Sequence, residues 1–402
     1  MSELPPRREY APLIGKKILV GLTASSAIYK SIDLIRELIR MGAKVKAVMT
    51  NEALEYISPK LVEWATGNEP LIELSGKAEH VALSNEYDAL IIAPATLNTI
   101  SRIAYGIVDQ ALHLLAVAMM GKKKKVIIVP SMHMNLFKSP QYGKAIKILE
   151  DLGAYVIPPF IEENKAKYPP LNDLAHCIET LINRGRDLVG KKLLVTAGPT
   201  REYIDPVRVI TNPSSGYMGV LIAREAVCRG AEVDLVHGPM YVEPPYTVNA
   251  YNVTTTSELA KKISDLTSVK KYDAAIFAAA PADYTVTEKS PKKISTREVK
   301  YLILRLRPTP KTIKYISKNN RPEKIIIFVA ETTNDHEELV EKARQKLIEY
   351  GADIAIANNV KEPGIGFGSN YLDACIVTRN KYECLGLVRK EVIARKIIDL
   401  II

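Results

Sequence analysis

Residues 197–219 place Arg201, Arg208, Asn212 and the pair Ser214-Ser215 before Gly216, all in one connection between an apolar run and an amphipathic one. A loop this long loses much conformational entropy on ordering and is rarely kept as a bare linker. Hydroxyls and backbone N–H groups at a Ser-Ser-Gly turn that opens a helix suit an anion; the competing reading is a structural Ω-loop. A second polar stretch runs from Ala279-Ala-Pro-Ala-Asp283 to Lys292-Lys293-Ile294. A carboxylate for Mg2+ and lysines for phosphate would handle a polyphosphate, whereas lysines alone would be a solvated face.

The first half has its own small-residue loop, 21–27, which brings Thr23, Ser25 and Ser26 to the start of a helix. It lacks the GxGxxG spacing of a dinucleotide site. Thr50, and Thr96 and Asn98 in 93–99, follow the next two apolar runs and converge on the same edge. One phosphate site with a flat pocket fits a mononucleotide such as FMN; the plain alternative is a Ser/Thr helix cap. His80, read as lying in a loop, and His133, just past a strand end, are the acid–base candidates.

These loops need a scaffold that gathers them. Apolar runs alternate with helical periods throughout the chain. In the first half the pattern predicts strands at 17–21, 44–49, 89–93, 125–130 and 154–157, with helices at 28–41, 97–105, 109–120, 140–152 and 171–183. Proline pairs bracket 158–170, which reads as a flap without periodicity. In the second half strands are predicted at 192–197, 232–236, 274–279, 301–306, 324–329, 353–357 and 373–378, and helices at 218–229, 256–267, 310–318, 335–350 and 386–402. The opening Gly15-Lys-Lys-Ile-Leu-Val20 returns as Gly190-Lys-Lys-Leu-Leu-Val195. This predicts an α/β chain of two doubly wound parallel-sheet (Rossmann-like) domains in tandem, 1–184 and 185–402, with ligands at the carboxyl ends of the strands.

Composition narrows the classes. No apolar run approaches the roughly 20 residues of a membrane span, and the N-terminal residues have no secretory h-region. The formal net charge of +10 admits nucleic acid or phosphorylated small ligands. The lysine run 122–125 has no interleaved aromatics and reads as a solvated loop rather than a nucleic-acid patch. Cys177, Cys228, Cys375 and Cys384 are scattered without CxxC pairs, which predicts reduced thiols and a cytoplasmic setting.

From about Gly15 to Ile402 the sequence resembles the bifunctional family of coenzyme A biosynthesis that joins phosphopantothenoylcysteine decarboxylase to phosphopantothenate–cysteine ligase. The specific segments are 197–219, 279–283 and Phe328-Val-Ala-Glu-Thr332 in the ligase half. In the other half they are Ala27-Ile-Tyr-Lys30, Glu79-His80 and Ala93-Pro-Ala-Thr96 with Asn98-Thr99. The resemblance implies a flavoprotein fold for the first domain. It implies that 4′-phosphopantothenate is activated by CTP and Mg2+ to an acyl-cytidylate, which cysteine's amine then opens. Asn212 would hold that intermediate, Lys293 would assist near the phosphates, and Asp283, Phe277, Ala278, Ala279, Phe328 and Lys346 would surround the nucleotide. Ser214, Ser215 and Gly216 would bind substrate, and no metal ligand is assigned. The decarboxylase half would use FMN, with His80 catalytic.

Three departures bear on chemistry. The family's Pro-Ala-Met-Asn-x-x-Met is here Pro130-Ser-Met-His133-Met-Asn-Leu136, which leaves His133 or Asn135 to orient the substrate carboxylate. The flap carries no cysteine; Lys165 or Lys167 would close it, and the final proton donor is unassigned. Tyr350 stands where a second lysine often follows Lys346. The family implies a homo-oligomer of trimeric flavin domains and dimeric ligase domains. A ligase whose first half acts elsewhere, ATP in place of CTP, and a basic nucleic-acid-binding protein remain the alternatives.

Overall fold

The computed structural model describes residues 4–5, 7–295, 301–361, 365–366 and 368–402. The chain divides into two compact units, 1–185 and 186–402.

In the first unit β1 (Lys17–Leu22), β2 (Lys44–Met49), β3 (Ala89–Ala95) and β4 (Lys125–Pro130) are joined by a short β6 (Tyr155–Val156) in the parallel order β2-β1-β3-β4-β6. Every residue of β3 is buried, as expected of a strand covered on both faces. Helix α1 (Lys30–Arg40) turns Leu34, Ile35 and Leu38 inward, and with α2 (Pro59–Thr66) and α8 (Leu171–Asn183) it covers one face. The other face is covered by α3 (Glu79–Glu86), α4 (Leu97–Ala104), α5 (Ala111–Gly121) and α7 (Pro140–Asp151). The strand order is that of flavodoxin-like sheets, with its switch point between β1 and β3.

The segment read as an aperiodic flap is a small sheet. β7 (Phe160–Glu162) and β8 (Lys165–Lys167) form a hairpin, and β8 also pairs antiparallel with β5 (Met132–His133), which leads into the short α6 (Met134–Phe137). Three helices escaped the periodicity, α2, α3 and the short α6, and through α3 His80 lies in the first turn of a helix rather than in a loop.

The second unit begins with β9 (Lys192–Ala197), followed by the antiparallel pair β10 (Arg201–Tyr203) and β11 (Val209–Thr211). Helix α9 (Tyr217–Cys228), β12 (Glu232–His237), β13 (Asn249–Asn252), α10 (Thr256–Val269) and β14 (Ala274–Phe277) come next. β15 (Tyr284–Val286) pairs with β16 (Leu306–Pro308), and β17 (Lys324–Glu331), α11 (His336–Tyr350) and β18 (Ile354–Asn359) complete the parallel part. The chain closes with β19 (Tyr371–Val377), β20 (Tyr382–Arg389) and α12 (Lys390–Asp399). The sheet order is β13-β12-β9-β14-β17-β18-β19-β20, with the switch point between β9 and β14.

Several expectations need correction here. β19 and β20 run antiparallel, so this sheet is mixed at one edge. The predicted helix 386–402 is a strand to Arg389 and a helix from Lys390; Gly386 takes φ +64 within the strand. The predicted strand 301–306 gives way to β16, and the predicted helix 310–318 is two short 3-10 turns, Thr312–Tyr315 and Lys318–Asn320. β14 ends at Phe277, which leaves Ala278 and Ala279 in the loop. Cys375 and Cys384 are joined in a disulfide, and neither Cys177 nor Cys228 is a free thiol, so the expectation of reduced thiols fails for all four. Cross-strand register brings Cys375 and Cys384 opposite each other, which their spacing of nine in sequence does not announce.

Candidate functional site

In the second unit two loops leave the switch point and are knitted together. The Ala279 amide donates to the Thr196 hydroxyl at 3.1 Å and the Ala280 amide to the Gly198 carbonyl at 2.9 Å. Thr200 accepts from the Ala282 amide at 2.8 Å, and Thr309 donates to the Ala282 carbonyl at 2.6 Å. Helix α9 approaches β9 closely: a Cβ on Gly219 would lie 2.5 Å from the Ala197 Cβ and 2.9 Å from the Thr196 carbonyl oxygen. Gly216, at φ +81, opens the helix, and a side chain there would meet Met240. Ser214 and Ser215 accept from the amides of Gly216 and Tyr217, each at 3.3 Å.

Two cavities meet on this frame. One, of about 190 Å³, is lined by Thr196, Phe277, Lys311, Ile313 and Tyr350 among others. The second, of about 280 Å³, is lined by Asn212, Ser214, Ser215, Gly216, Asn358 and Lys390 among others. They share Ala279, Pro281, Asp283 and Phe328 as a common wall. Ala278 faces the larger cavity. Among the described residues Asp283 is the only carboxylate lining either one, and it pairs with Lys311 at 2.7 Å.

Asn212 donates to the carbonyls of Ala280, at 3.3 Å, and Pro281, at 2.9 Å. Its amide nitrogen is thereby committed, and Oδ1 is the atom left to a ligand. Lys293 is exposed, lines neither cavity, and has no hydrogen bond or ion pair of its side chain among the described residues. Its segment is held from beneath by Asp205, which is fully buried. That carboxylate accepts from the amides of Val207 (2.8 Å), Arg208 (2.7 Å) and Ile294 (3.1 Å) and from the Arg208 guanidinium (2.6 Å). Burial pushes its pKa up, but the three amides and the guanidinium outweigh that and hold it at about 2. Lys346 lies outside both cavities; its ammonium pairs with Glu349 at 2.7 Å and sits 5.3 Å over the Tyr350 ring.

Sequence reasoning missed Lys390 and Asn358. Lys390 is 4% exposed, and its ammonium donates to the Gly366 carbonyl at 2.8 Å. No carboxylate lies within salt-bridge distance of it among the described residues, because the neighbouring Glu391 pairs with Arg389 at 3.1 Å. Burial lowers its pKa to about 8, against a small opposing pull from Glu391. Asn358 is 7% exposed, and its Oδ1 is buried without a hydrogen bond among the described residues. Neither residue belongs to a recognisable motif; only the fold shows that they face the same space.

In the first unit the strand ends deliver the expected loops to one edge. Thr23, 1% exposed, donates to the Pro94 carbonyl at 2.7 Å and accepts from the Thr96 amide at 3.2 Å, which fixes one loop against the other. Ser25 caps the 3-10 turn Ser26–Tyr29, Thr96 caps α4, and Thr50 is buried just past the end of β2. Ser26 is exposed. Asn98 is exposed on α4 and accepts from Arg102 at 2.9 Å. His80 is half-buried, and its Nδ1 is buried without a partner among the described residues. Such an orphan costs about 1–3 kcal/mol unless a ligand satisfies it. His133 is exposed and sits opposite Lys165 in the flap sheet; Asn135 is exposed on α6. Lys167 pairs with Glu162 at 2.8 Å and Glu163 at 2.6 Å.

The lysine run 122–125 is used within the fold. Lys122 donates to Ser84 at 2.8 Å, Lys124 to the Asn85 carbonyl at 2.7 Å and Lys125 to the Leu181 carbonyl at 2.8 Å. Among the described residues no helix is long and apolar enough to cross a membrane.

The two sheets and their switch-point loops define a tandem α/β enzyme, a flavoprotein unit followed by a unit with a two-compartment site. Residues 6–183 match the family described as Flavoprotein, and residues 188–402 match the DNA/pantothenate metabolism flavoprotein C-terminal domain. The chain is 38% identical to the coenzyme A biosynthesis bifunctional protein CoaBC of Thermococcus kodakarensis, over 96% of this chain and 95% of that one. It is 37% identical to the protein of the same description from Methanocaldococcus jannaschii, over 95% and 93%. A crystal structure of the C-terminal domain of a CoaBC protein is 33% identical, covers 54% of this chain and 96% of its own, and superposes with a TM-score of 0.44. The chain belongs to the CoaBC family of bifunctional coenzyme A biosynthesis enzymes, with a decarboxylase flavoprotein domain and a ligase domain.

Proposed function

We propose that the second unit condenses 4′-phosphopantothenate with cysteine at the expense of CTP, and that the first unit decarboxylates the product on FMN. The observation that supports this most is the wall shared by the two cavities. A nucleotide in the compartment of Phe277 and Tyr350 meets an acid in the compartment of Asn212 and Lys390 at Ala279, Asp283 and Phe328. The acid's carboxylate attacks the α-phosphorus and pyrophosphate leaves; cysteine's amine then attacks the acyl carbon and CMP leaves. Mg2+ would arrive on the phosphates, with Asp283 the one carboxylate lining the two cavities among the described residues. Asn212 would present Oδ1 while its amide nitrogen keeps the 280–281 turn in place. Lys293, carried on the segment that Asp205 clamps, would reach over the phosphates.

The first unit's residues fit FMN. Ser25, Ser26 and the amides of the 23–27 loop would take its phosphate, Thr50, Thr96 and Asn98 would border it, and the orphaned His80 Nδ1 would gain a partner. When bound, FMN supplies the two-electron oxidation of the cysteinyl thiol that lets the adjacent carboxylate leave. His80 would take the thiol proton, and His133 or Asn135 would orient the carboxylate beneath the flap. The units would assemble as a homo-oligomer through trimeric flavin and dimeric ligase contacts, with small molecules as substrates.

The test is purified protein with 4′-phosphopantothenate, cysteine and either CTP or ATP, read by pyrophosphate and CO2 release and product mass. Yellow protein, CTP-dependent pyrophosphate and a decarboxylated product are expected. Pyrophosphate without CO2 would confine the assignment to the ligase unit, and no pyrophosphate with either nucleotide would overturn it.

A further inference from the structure

We propose that Cys375, Cys384 and His336 form a soft-metal site that takes Zn2+ when the Cys375–Cys384 disulfide is reduced. The two sulfurs and one imidazole nitrogen lie within 4.8 Å of one another, on the face of the sheet that α11 covers. Cys375 is fully buried, whereas the His336 side chain is 40% exposed, so an ion could reach the cluster from solvent on the histidine side. His336 Nε2 bonds the Asp373 carboxylate at 2.9 Å. This leaves Nδ1 for a metal, the arrangement in which a carboxylate orients a ligating histidine and raises its basicity.

The donor set decides the ion. Two thiolates and an imidazole are soft to borderline ligands that select Zn2+ over Mg2+ or Ca2+, and three protein ligands leave a fourth position for water. Bonded sulfurs cannot serve as two separate ligands. Once the bond is opened, non-bonded contact spaces them near the roughly 3.8 Å separation that Zn–S bonds of about 2.3 Å impose in a tetrahedron. Reduction consumes two electrons and two protons, supplied by a dithiol that leaves as its own disulfide; Zn2+ then displaces the two thiol protons. The disulfide cross-links β19 to β20 alone, and the metal would replace it with a cross-link that also takes in the start of α11. His336 and Tyr350 stand at opposite ends of α11, about 21 Å apart at 1.5 Å per residue, so this site is separate from the nucleotide cavity.

The experiment uses the full chain, reduced with a phosphine, desalted without oxygen and titrated with Zn2+ against a chromophoric chelator; Co2+ serves as the spectroscopic probe. Expected are one tightly held Zn2+ per reduced chain, none in the oxidised chain, and thiolate-to-Co2+ charge-transfer absorption. Cys384→Ser should abolish uptake, His336→Ala should weaken it at least tenfold, and Cys177→Ser with Cys228→Ser should leave it intact. If Cys384→Ser does not fold, the half-exposed His336→Ala decides. A folded, reduced chain that takes up no Zn2+, or uptake unchanged by His336→Ala and Cys384→Ser, would overturn the proposal and leave the pair a covalent staple only.

Discussion

The Asp205 carboxylate accepts a hydrogen bond from the Ile294 amide at 3.1 Å, and so ties the loop that carries Asn212 to the segment that carries Lys293. Two stretches far apart in sequence are thereby held together. Asp205→Asn keeps the shape but forfeits part of the charge-assisted bonding. We expect ligase turnover to fall at least tenfold and CO2 release from supplied phosphopantothenoylcysteine to stay unchanged; equal loss in both assays would indicate misfolding. The carboxyl's folded pKa, about 2, lies below the unfolded value of about 3.9. Its stabilisation is thus complete above pH ~4 and drains away as pH falls toward 2. Acid unfolding of Asp205→Asn should show a shallower slope over that window.

Lys390 supplies a buried cation to the larger cavity. Lys390→Met should raise KM for one of the anionic substrates at least tenfold, and Lys390→Arg should recover part of it. The folded pKa of about 8 lies below the ordinary lysine value, so the charge is present below pH 8 and lost above it. KM for that substrate in the unaltered protein should climb as pH passes 8, and the Met variant should not follow. A flat wild-type profile would remove Lys390 from binding.

Gly219→Ala tests the close approach of α9 to β9. The added methyl meets backbone and Cβ atoms that cannot swing aside. Overpacking of this kind costs about 1–3 kcal/mol, measurable by denaturant titration, and should displace the Ser214-Ser215-Gly216 turn enough to depress ligase activity first.

Arg229 is 1% exposed and is held by Asp187 at 2.7 Å and Asp399 at 2.6 Å, which pins the start of the second unit to its last helix. Arg229→Met removes their partner, but both carboxylates are about a third exposed and regain water, so a loss of about 1–3 kcal/mol is expected. KM values should be unaltered at temperatures where the variant remains folded.

Lys167→Ala in the flap should weaken decarboxylation and spare the ligase. Because its partners Glu162 and Glu163 lie within the same hairpin, raising ionic strength should mimic part of the effect in the unaltered protein.

Strands such as β1 and β3 were legible because buried parallel strands are apolar nearly throughout, and loops at their ends followed from topology. α3 was not, since its short sequence Glu79-His-Val-Ala-Leu-Ser-Asn-Glu86 carries almost no apolar stripe. Residues 386–402 misled for the opposite reason: Leu385, Leu387 and Val388 continue into a helical spacing, and only the edge pairing with β19 makes them a strand. At the site, motif residues such as Asn212 and Asp283 could be read from spacing. The groups that act through tertiary juxtaposition, Lys390 above Gly366 and Asp205 beneath Ile294, have no local signature.

The flap hairpin pairs Met132 with Ala166 and His133 with Lys165. Alternation then sends Ala166, 1% exposed, inward and leaves Lys165 outside. Removing a single residue between Glu162 and Lys165 would invert that alternation and drive a lysine into the space the alanine fills. Substitutions at its exposed positions other than Lys167 are cheap while its length is not, so variation among working sequences should change those letters far more freely than their number.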